Sequence, residues 1–175
     1  ALAGLRVFRI EGVAGGITQL RPLCNTASVL GADVVLTGKV VFKGETGTIE
    51  LLSADTKLCS GRSLEREIPR RVESTVLAVL DEVICRVAFP QPDAALCRSQ
   101  VALKGDTTGL SFRVNGEATA PTGSALPTDV GVARVQACEG ATCTAERLVD
   151  LPLGQPGALE VARACGKLHL VAPGE

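Results

Sequence analysis

Residues 30–55 constrain the fold most strongly, because they join the end of a helix to a two-stranded hairpin. Val34 to Lys43 and Thr48 to Ser53 are β-rich runs, separated by the short glycine-bounded turn Gly44-Glu45-Thr46-Gly47. This pattern predicts an antiparallel hairpin. Leu58 to Ile68 then alternates loosely between apolar and polar residues, which predicts a third strand beside the hairpin. We therefore expect a small antiparallel sheet in this part of the chain.

Two helices are predicted to pack on this sheet. Apolar residues recur at three- and four-residue steps over residues 17–30, and Gly31 follows as a helix end. Pro69 is suited to the first position of a second helix. The apolar stripe of that helix consists of Val72, Val76, Leu80, Val83 and Val87. At about 100° per residue, Cys85 lies nearly opposite the stripe and is expected to face away from the sheet.

The segment Phe89-Pro90-Gln91-Pro92 interrupts both periodicities and marks a domain boundary. Beyond it, short apolar runs alternate with Gly, Pro, Asn and Asp signals, a spacing typical of an all-β sandwich. The runs span 100–104, 109–114, 130–138, 143–151, 158–164 and 167–172. Within this part, Asn115-Gly116 is a strong signal for a two-residue hairpin turn.

The predicted fold class is α+β, with a small antiparallel sheet and two packed helices followed by a C-terminal all-β sandwich-like domain. We place the first domain at residues 1–89, a proline-containing linker at 90–98, and the second domain at 99–175. Leu5 to Ile10 is predicted to add one more strand near the start of the chain, before a glycine-rich bend.

Composition excludes several classes of function. The formal net charge is -1, and the chain has four Phe and neither Trp nor Tyr. Nucleic-acid binding is therefore not expected, because it requires a basic surface or aromatic rings on which bases stack. The shortage of aromatic rings also disfavours a sugar or peptidoglycan binder. No apolar run approaches the roughly 18 to 20 residues of a membrane-spanning helix.

Seven cysteines are dispersed along the chain without a C-x-x-C pair, which disfavours a zinc site. A disulfide framework is the better explanation, and it indicates an oxidising compartment. The alternative is a cytosolic protein in which several cysteines are small buried hydrophobic residues. Because seven is odd, at most three bridges can form within one chain.

Spacing favours three pairs without deciding between all alternatives. Cys138 with Cys143 is preferred because four intervening residues keep them in reach at a hairpin end. Cys24 with Cys59 would pin the first helix onto the third strand. Cys85 with Cys97 would attach the linker to the second helix and leave Cys165 unpaired. A rival third bridge, Cys97 with Cys165, stays open.

Catalytic residue types are nearly absent. His169 is the only histidine, and it alternates with Leu168 and Leu170 in a predicted strand, so we expect it on the wetter face. The segment ending at Gly38-Lys39 lacks the glycine spacing of a phosphate loop. We therefore predict no catalytic residue, no cofactor and no metal site.

Leu30-Gly31-Ala32-Asp33, the strand that ends near Thr37-Gly38, and the later segment from Ile49 to Thr56 together resemble a group of bacterial envelope domains. The group comprises the TolB amino-terminal domain, the curli secretion lipoprotein CsgG and the penicillin-binding-protein activator lipoproteins, and the resemblance covers residues 17–88. It implies a non-catalytic adaptor of the periplasm or outer membrane that binds other envelope proteins. Residues 99–172 are faintly similar to PEGA domains.

Two functions of different classes follow. The favoured one is a disulfide-stabilised, non-enzymatic adaptor or scaffold of the bacterial cell envelope, exported, acting by protein–protein interaction through exposed strand edges and loops. Its partners are other envelope proteins, and association of identical copies is open. The alternative is a thiol-dependent redox or hydrolytic enzyme that uses an unpaired cysteine with His169.

Overall fold

The computed structural model describes residues 20–29, 31, 33–88, 95–164 and 167–172. The described residues form an α+β protein with two α-helices, one 3₁₀ helix and twelve strands arranged in three sheets. The elements are α1 (Leu20–Val29), β1 (Val34–Lys43), β2 (Thr46–Asp55), β3 (Ser60–Ile68), α2 (Glu73–Ala88), the 3₁₀ helix (Ala95–Cys97), β4 (Arg98–Gly105), β5 (Ser111–Val114), β6 (Glu117–Thr119), β7 (Ala125–Asp129), β8 (Gly131–Glu139), β9 (Thr142–Cys143), β10 (Arg147–Leu151), β11 (Gly157–Ala164) and β12 (Lys167–Val171). The strand predicted at Leu5 to Ile10 lies outside the described residues.

The contacts divide the chain into two compact units. The first contains the described residues up to Lys39 together with Glu50–Leu64, and the second contains Val40–Ile49 together with the described residues from Glu65 onward. This division groups α2 with the later strands, whereas the sequence placed α2 in a first domain ending at residue 89. Residues 89–94, where the boundary was predicted, lie outside the described residues.

Strands β1, β2 and β3 form a three-stranded sheet in that order, as the sequence predicts. The turn between β1 and β2 is tighter than predicted, because Thr46 and Gly47 already belong to β2. Only Gly44 and Glu45 remain in the turn, and Gly44 has a φ of 64°. A side chain disfavours that left-handed conformation, so glycine suits this position.

In the first unit, α1 packs on one face of the sheet. Cys24 on the helix and Ala54 on β2 are buried together. Partly buried apolar side chains surround them, namely Leu20, Val35, Leu52 and Cys59. Because side chains alternate along a strand, the neighbours of Val35 in β1, Val34 and Leu36, point to the opposite face.

The second helix begins later than predicted. The N–H of Val76 donates to the carbonyl of Val72 at 3.0 Å, and α2 starts at Glu73. Pro69 lies in the bend before the helix, so the prediction that it occupies the first helical position is wrong. Strand β3 continues to the fully buried Ile68, and the chain uses the following four residues to change direction.

The remaining strands form two larger sheets within the second unit. One has the order β10-β8-β5-β6, with β9 also paired to β8, and the other has the order β12-β11-β4-β7. Strands β4 and β11 are parallel, with Val101 opposite Gly157. The predicted hairpin at Asn115-Gly116 is confirmed, since β5 and β6 pair there and both residues have positive φ, 54° and 85°.

One hydrophobic cluster contains buried side chains from both larger sheets. Strand β8 contributes Ala133, Val135 and Ala137, so the side chains of the residues between them, Arg134 and Gln136, point to the other face of the same sheet. The four-stranded sheet contributes Val101, Leu126, Leu159 and Leu170 among others. The core of this unit is thus almost entirely aliphatic, with Phe112 as its one aromatic member among the described residues.

Helix α2 packs against β8 and β10 of the five-stranded sheet. Its buried residues are Thr75, Ala78, Val79, Val83 and Cys85. Val72 and Leu77 are each 49% exposed. The sequence did not predict this contact with the five-stranded sheet. Of the predicted stripe, Val83 is fully buried, Val76 and Leu80 are partly buried, and Val72 is exposed. Cys85, predicted to lie opposite the stripe, is also buried. Polar contacts made by this face of the helix also determine its orientation, and a pattern of large aliphatic residues does not reveal such contacts.

Candidate functional site

The structure contains three disulfides, and they join the same pairs that the sequence favoured. Cys24 is bonded to Cys59, Cys85 to Cys97, and Cys138 to Cys143. In each pair one cysteine is buried and the other is partly exposed. Cys165, the cysteine predicted to be unpaired, lies outside the described residues.

Each bridge connects two elements of secondary structure or their turns. Cys24–Cys59 ties α1 to the turn between β2 and β3, where Cys59 has a φ of 45°. Cys85–Cys97 ties α2 to the 3₁₀ helix before β4. Cys138 and Cys143 are directly opposed in the β8–β9 pair. The bridges therefore brace the framework of each unit.

His169 lies on β12, opposite Ala162 of β11, and is solvent-exposed as the sequence predicts. Among the described residues, no group of three or more His, Cys, Asp or Glu side chains is arranged to hold a metal ion. A shallow cleft of about 320 Å³ lies between the start of β4 and the β10–β11 connection. It is lined by Arg98, Ser99, Gln100, Gly154, Gln155 and Pro156.

An unpaired edge of a β-sheet is a binding site for a strand of another chain. Most of the described end strands carry a feature that hinders such pairing. Pro127 in β7 lacks a backbone donor, and β6 has only three residues. On β12, the carbonyl of Leu170 accepts a hydrogen bond from Nε of Arg147 at 2.8 Å. Charged side chains occur within β3 and β10, namely Arg62, Glu65, Arg66, Glu67, Arg147 and Asp150.

Strand β1 differs, because its first five residues, Val34-Val35-Leu36-Thr37-Gly38, carry no charge. Within the described residues β1 pairs with β2 on one side only. Val34 and Leu36 are 45% and 37% exposed. We call the segment from Asp33 to Lys39 the β1 edge; all of it belongs to the first unit.

Both charged ends of the β1 edge are paired within the first unit. Asp33 lies 3.0 Å from the ammonium of Lys57, and its carbonyl accepts hydrogen bonds from the N–H and the hydroxyl of Thr56 at 3.0 and 3.1 Å. The hydrogen bond from Lys57 to the Asp33 carboxylate, together with the attraction between their charges, raises the pKa of Lys57. At the other end, Lys39 lies 3.1 Å from Glu50 on β2.

The middle of the β1 edge is closely packed against β2. A Cβ built on Gly38 would collide with the side chain of Leu51 and the carbonyl of Glu50. Leu51 thus extends over the position where a side chain of residue 38 would stand. Only glycine leaves room for this close approach.

This arrangement allows addition of a strand. Among the described residues, the main-chain groups of the β1 edge that point away from β2 have no strand partner, and exposed apolar side chains lie on the face that does not pack on α1. Sequence reasoning proposed exposed strand edges in general but did not single out this one. The signal was available, because Val34 to Gly38 is an uncharged β-rich run between Asp33 and Lys39.

No helix among the described residues has the length and apolar character needed to cross a membrane. No protein-family model, curated protein or solved structure matches this chain.

Proposed function

We propose that this protein is a non-enzymatic, disulfide-stabilised adaptor or scaffold of the bacterial cell envelope that acts by protein–protein interaction through the β1 edge. The observation that carries the proposal is the neutral, half-exposed segment Val34–Gly38 at the end of a sheet whose other end strand, β3, is charged. An edge of this kind favours pairing with an extended segment of another chain.

The three disulfides support the exported location. Bridges of this kind form and persist in oxidising compartments and are rare in the cytosol. In a bacterium such a compartment is the periplasm or the outer-membrane surface, which agrees with the resemblance of residues 17–88 to envelope domains. We include in the proposal that the two larger sheets form a sandwich, because their buried side chains share one cluster.

Site-specific photo-cross-linking in cells that export the protein tests this function. A benzophenone amino acid at position 36 replaces the half-exposed Leu36 on β1, and the control carries it at Arg62, an exposed position on β3. We expect discrete protein adducts from position 36 and few from position 62. Equal patterns at both positions, or no adduct from position 36, would contradict a binding role for this edge.

The alternative, a thiol-dependent enzyme, stays a prediction from the sequence. Six of the seven cysteines are in disulfides, and the seventh, Cys165, lies outside the described residues. His169 is exposed on β12. If it acted together with the thiol of Cys165, the Cys165→Ser and His169→Ala variants would lose enzymatic activity to the same extent. Our proposal expects neither substitution to change binding at position 36.

A further inference from the structure

We infer that the partner of the β1 edge is the same edge of a second copy, with the two strands pairing antiparallel about a two-fold axis at Leu36. This inference rests on the proposed function, because it names the occupant of the proposed binding edge. It is carried by the order of charges in the segment Asp33-Val34-Val35-Leu36-Thr37-Gly38-Lys39.

Antiparallel pairing of identical strands restricts the register. Along a strand edge, the N–H and C=O groups of successive residues point alternately toward the partner strand and away from it. In two directly opposed residues, these groups must therefore either both point toward the other strand or both point away from it. In a symmetric pair, the residue numbers of two directly opposed residues therefore add up to an even value. One residue then stands opposite its own copy, at the two-fold axis. With Leu36 at the axis, this sum is 72, and Asp33 stands opposite the partner's Lys39.

This register neutralises both charges of the edge. Symmetry repeats the contact, so two pairs of Asp33 with the partner's Lys39 close the seven-residue ladder at its two ends. Opposite charges at directly opposed positions stabilise a strand pair, and like charges destabilise it. The present partners of these residues, Lys57 and Glu50, do not prevent the exchange, because both ion pairs are largely exposed.

The apolar side chains also match in this register. The two copies of Leu36, each 37% exposed in the single chain, become direct neighbours on the face opposite α1. Val34, 45% exposed, stands opposite the partner's Gly38. There the side chain of the partner's Leu51 fills the space over the glycine and offers Val34 an apolar surface.

Other registers are less favourable. Moving the axis by one residue, to Thr37 or to Val35, places Lys39 opposite the partner's Val35 or opposite the partner's Gly31, so Lys39 meets no acidic residue. Moving the axis to Gly38 places Lys39 opposite the partner's Thr37 and makes the two copies of Lys39 diagonal neighbours, which brings like charges together. Moving it to Val34 leaves Lys39 without an opposed residue in the edge. The register at Leu36 is the one that pairs each charge with its opposite within the segment Asp33–Lys39.

Charge reversal in two separate proteins tests the inference. The masses of the full disulfide-bonded chain and its variants are measured by sedimentation equilibrium over a range from about 5 to 200 µM. We expect the wild-type chain, of 18.0 kDa, to form a species of twice that mass. Asp33→Lys alone gives a lysine opposite the partner's Lys39, and Lys39→Asp alone gives two opposed aspartates. Each variant alone should be monomeric, with dimer dissociation constants raised at least about tenfold.

Mixing the Asp33→Lys and Lys39→Asp variants is the decisive experiment. In a heterodimer of Asp33→Lys with Lys39→Asp, every opposed charge pair is again of opposite sign, so dimers should reappear only in the mixture. Arg62→Asp, an exposed reversal on β3, serves as the control and should dimerise like the wild type. Circular dichroism and denatured thiol counts establish that each variant is folded and bridged.

The outcomes separate this inference from the proposed function. A wild-type chain that is monomeric throughout the range, single variants that dimerise as the wild type does, or a mixture that stays monomeric would each overturn the inference. If position 36 then still cross-links to a different protein, or to another segment of the same chain, the edge binds a partner other than a second copy. If position 36 yields no adduct either, the proposed function fails as well.

Discussion

Thr75 on α2 donates its hydroxyl hydrogen bond to Asp150 on β10, with both carboxylate oxygens 2.9 Å from the hydroxyl oxygen. Thr75 is fully buried. The same carboxylate accepts hydrogen bonds from the hydroxyl of Ser74 at 2.7 Å and from Nη2 of Arg70 at 2.9 Å. An anion beside the first turn of a helix is also favoured by the helix dipole. This contact sets which face of α2 meets the five-stranded sheet.

Replacement of Asp150 by Asn tests the role of this carboxylate. The amide keeps the shape but removes the charge that pairs with Arg70 and one of the two oxygens that accept from the buried Thr75. We expect the free energy of unfolding to fall by about 1 to 3 kcal/mol in urea titrations. Glu160→Gln, an exposed carboxylate on β11, is the matched control and should change stability by less than about 0.5 kcal/mol. Equal effects of the two substitutions would contradict this account of α2 packing.

Gly131, at the start of β8, provides a second test of the same interface. Its φ is 134°, and an added Cβ would lie 2.9 Å from Oε2 of Glu82 on α2. Glu82 cannot move freely, because Arg66 and Arg86 hold its other oxygen at 3.3 and 2.9 Å. We expect Gly131→Ala to lower the free energy of unfolding by about 2 to 4 kcal/mol, from strain and overpacking together.

Gly140 supplies the control for the backbone contribution. It also has a positive φ, 60°, but an added Cβ meets nothing within 4 Å. Gly140→Ala should therefore lower the free energy of unfolding by only about 1 kcal/mol, measured in the same urea titrations. A Gly131→Ala variant no less stable than Gly140→Ala would show that α2 does not press on β8 at this point.

Removing one disulfide at a time tests how much each bridge contributes to the free energy of unfolding. The loop-closure model assigns about 4 kcal/mol to Cys24–Cys59, with a sequence separation of 35, and about 2 kcal/mol to Cys138–Cys143, with a separation of 5. In guanidinium chloride titrations, the double Cys→Ser variant of Cys24–Cys59 should therefore lose more free energy of unfolding than that of Cys138–Cys143. The Cys138→Ser/Cys143→Ser variant should retain its hairpin, because the N–H of Thr144 donates a hydrogen bond to the carbonyl of Ala137 at 2.9 Å. The reverse order of stabilities would refute the entropic explanation.

Asp33→Asn should lower the pKa of Lys57, because the neutral amide cannot stabilise the ammonium as the carboxylate does. In the folded wild type this pKa is raised above its unfolded value. The ion pair therefore stabilises the fold below the unfolded pKa, and the contribution is lost as the pH rises through the folded pKa. NMR titration of the Lys57 side chain measures the change. An unchanged pKa in the variant would show that the two side chains are not paired in solution.

Local patterns predicted the elements of the first sheet well, because each of them is specified by its own residues. The hairpin from Val34 onward follows from β-rich runs around a glycine turn, and α1 follows from its three- and four-residue spacing. The strand β7 was missed because Pro127 lies inside it and Leu126 is its one large apolar residue. An end strand tolerates that proline, which local propensity does not reveal.

Tertiary contacts explain what the sequence could not provide. The orientation of α2 depends on Asp150, which lies 75 residues after Thr75 along the chain. No periodicity within the helix encodes that partner, so the stripe of large aliphatic residues alone does not predict this contact. The uncharged run Val34 to Gly38 is visible in the sequence, whereas its position at the end of a sheet follows from the strand order β1-β2-β3.

We propose that three disulfides brace an exported protein that acts through contact with other chains. Alkylation of the protein isolated without reductant, followed by intact-mass and peptide mass spectrometry, tests it most directly. We predict that one thiol, that of Cys165, is alkylated and that the peptides recovered are cross-linked as Cys24–Cys59, Cys85–Cys97 and Cys138–Cys143. Alkylation of all seven cysteines would contradict the account, since it would place the protein in a reducing compartment.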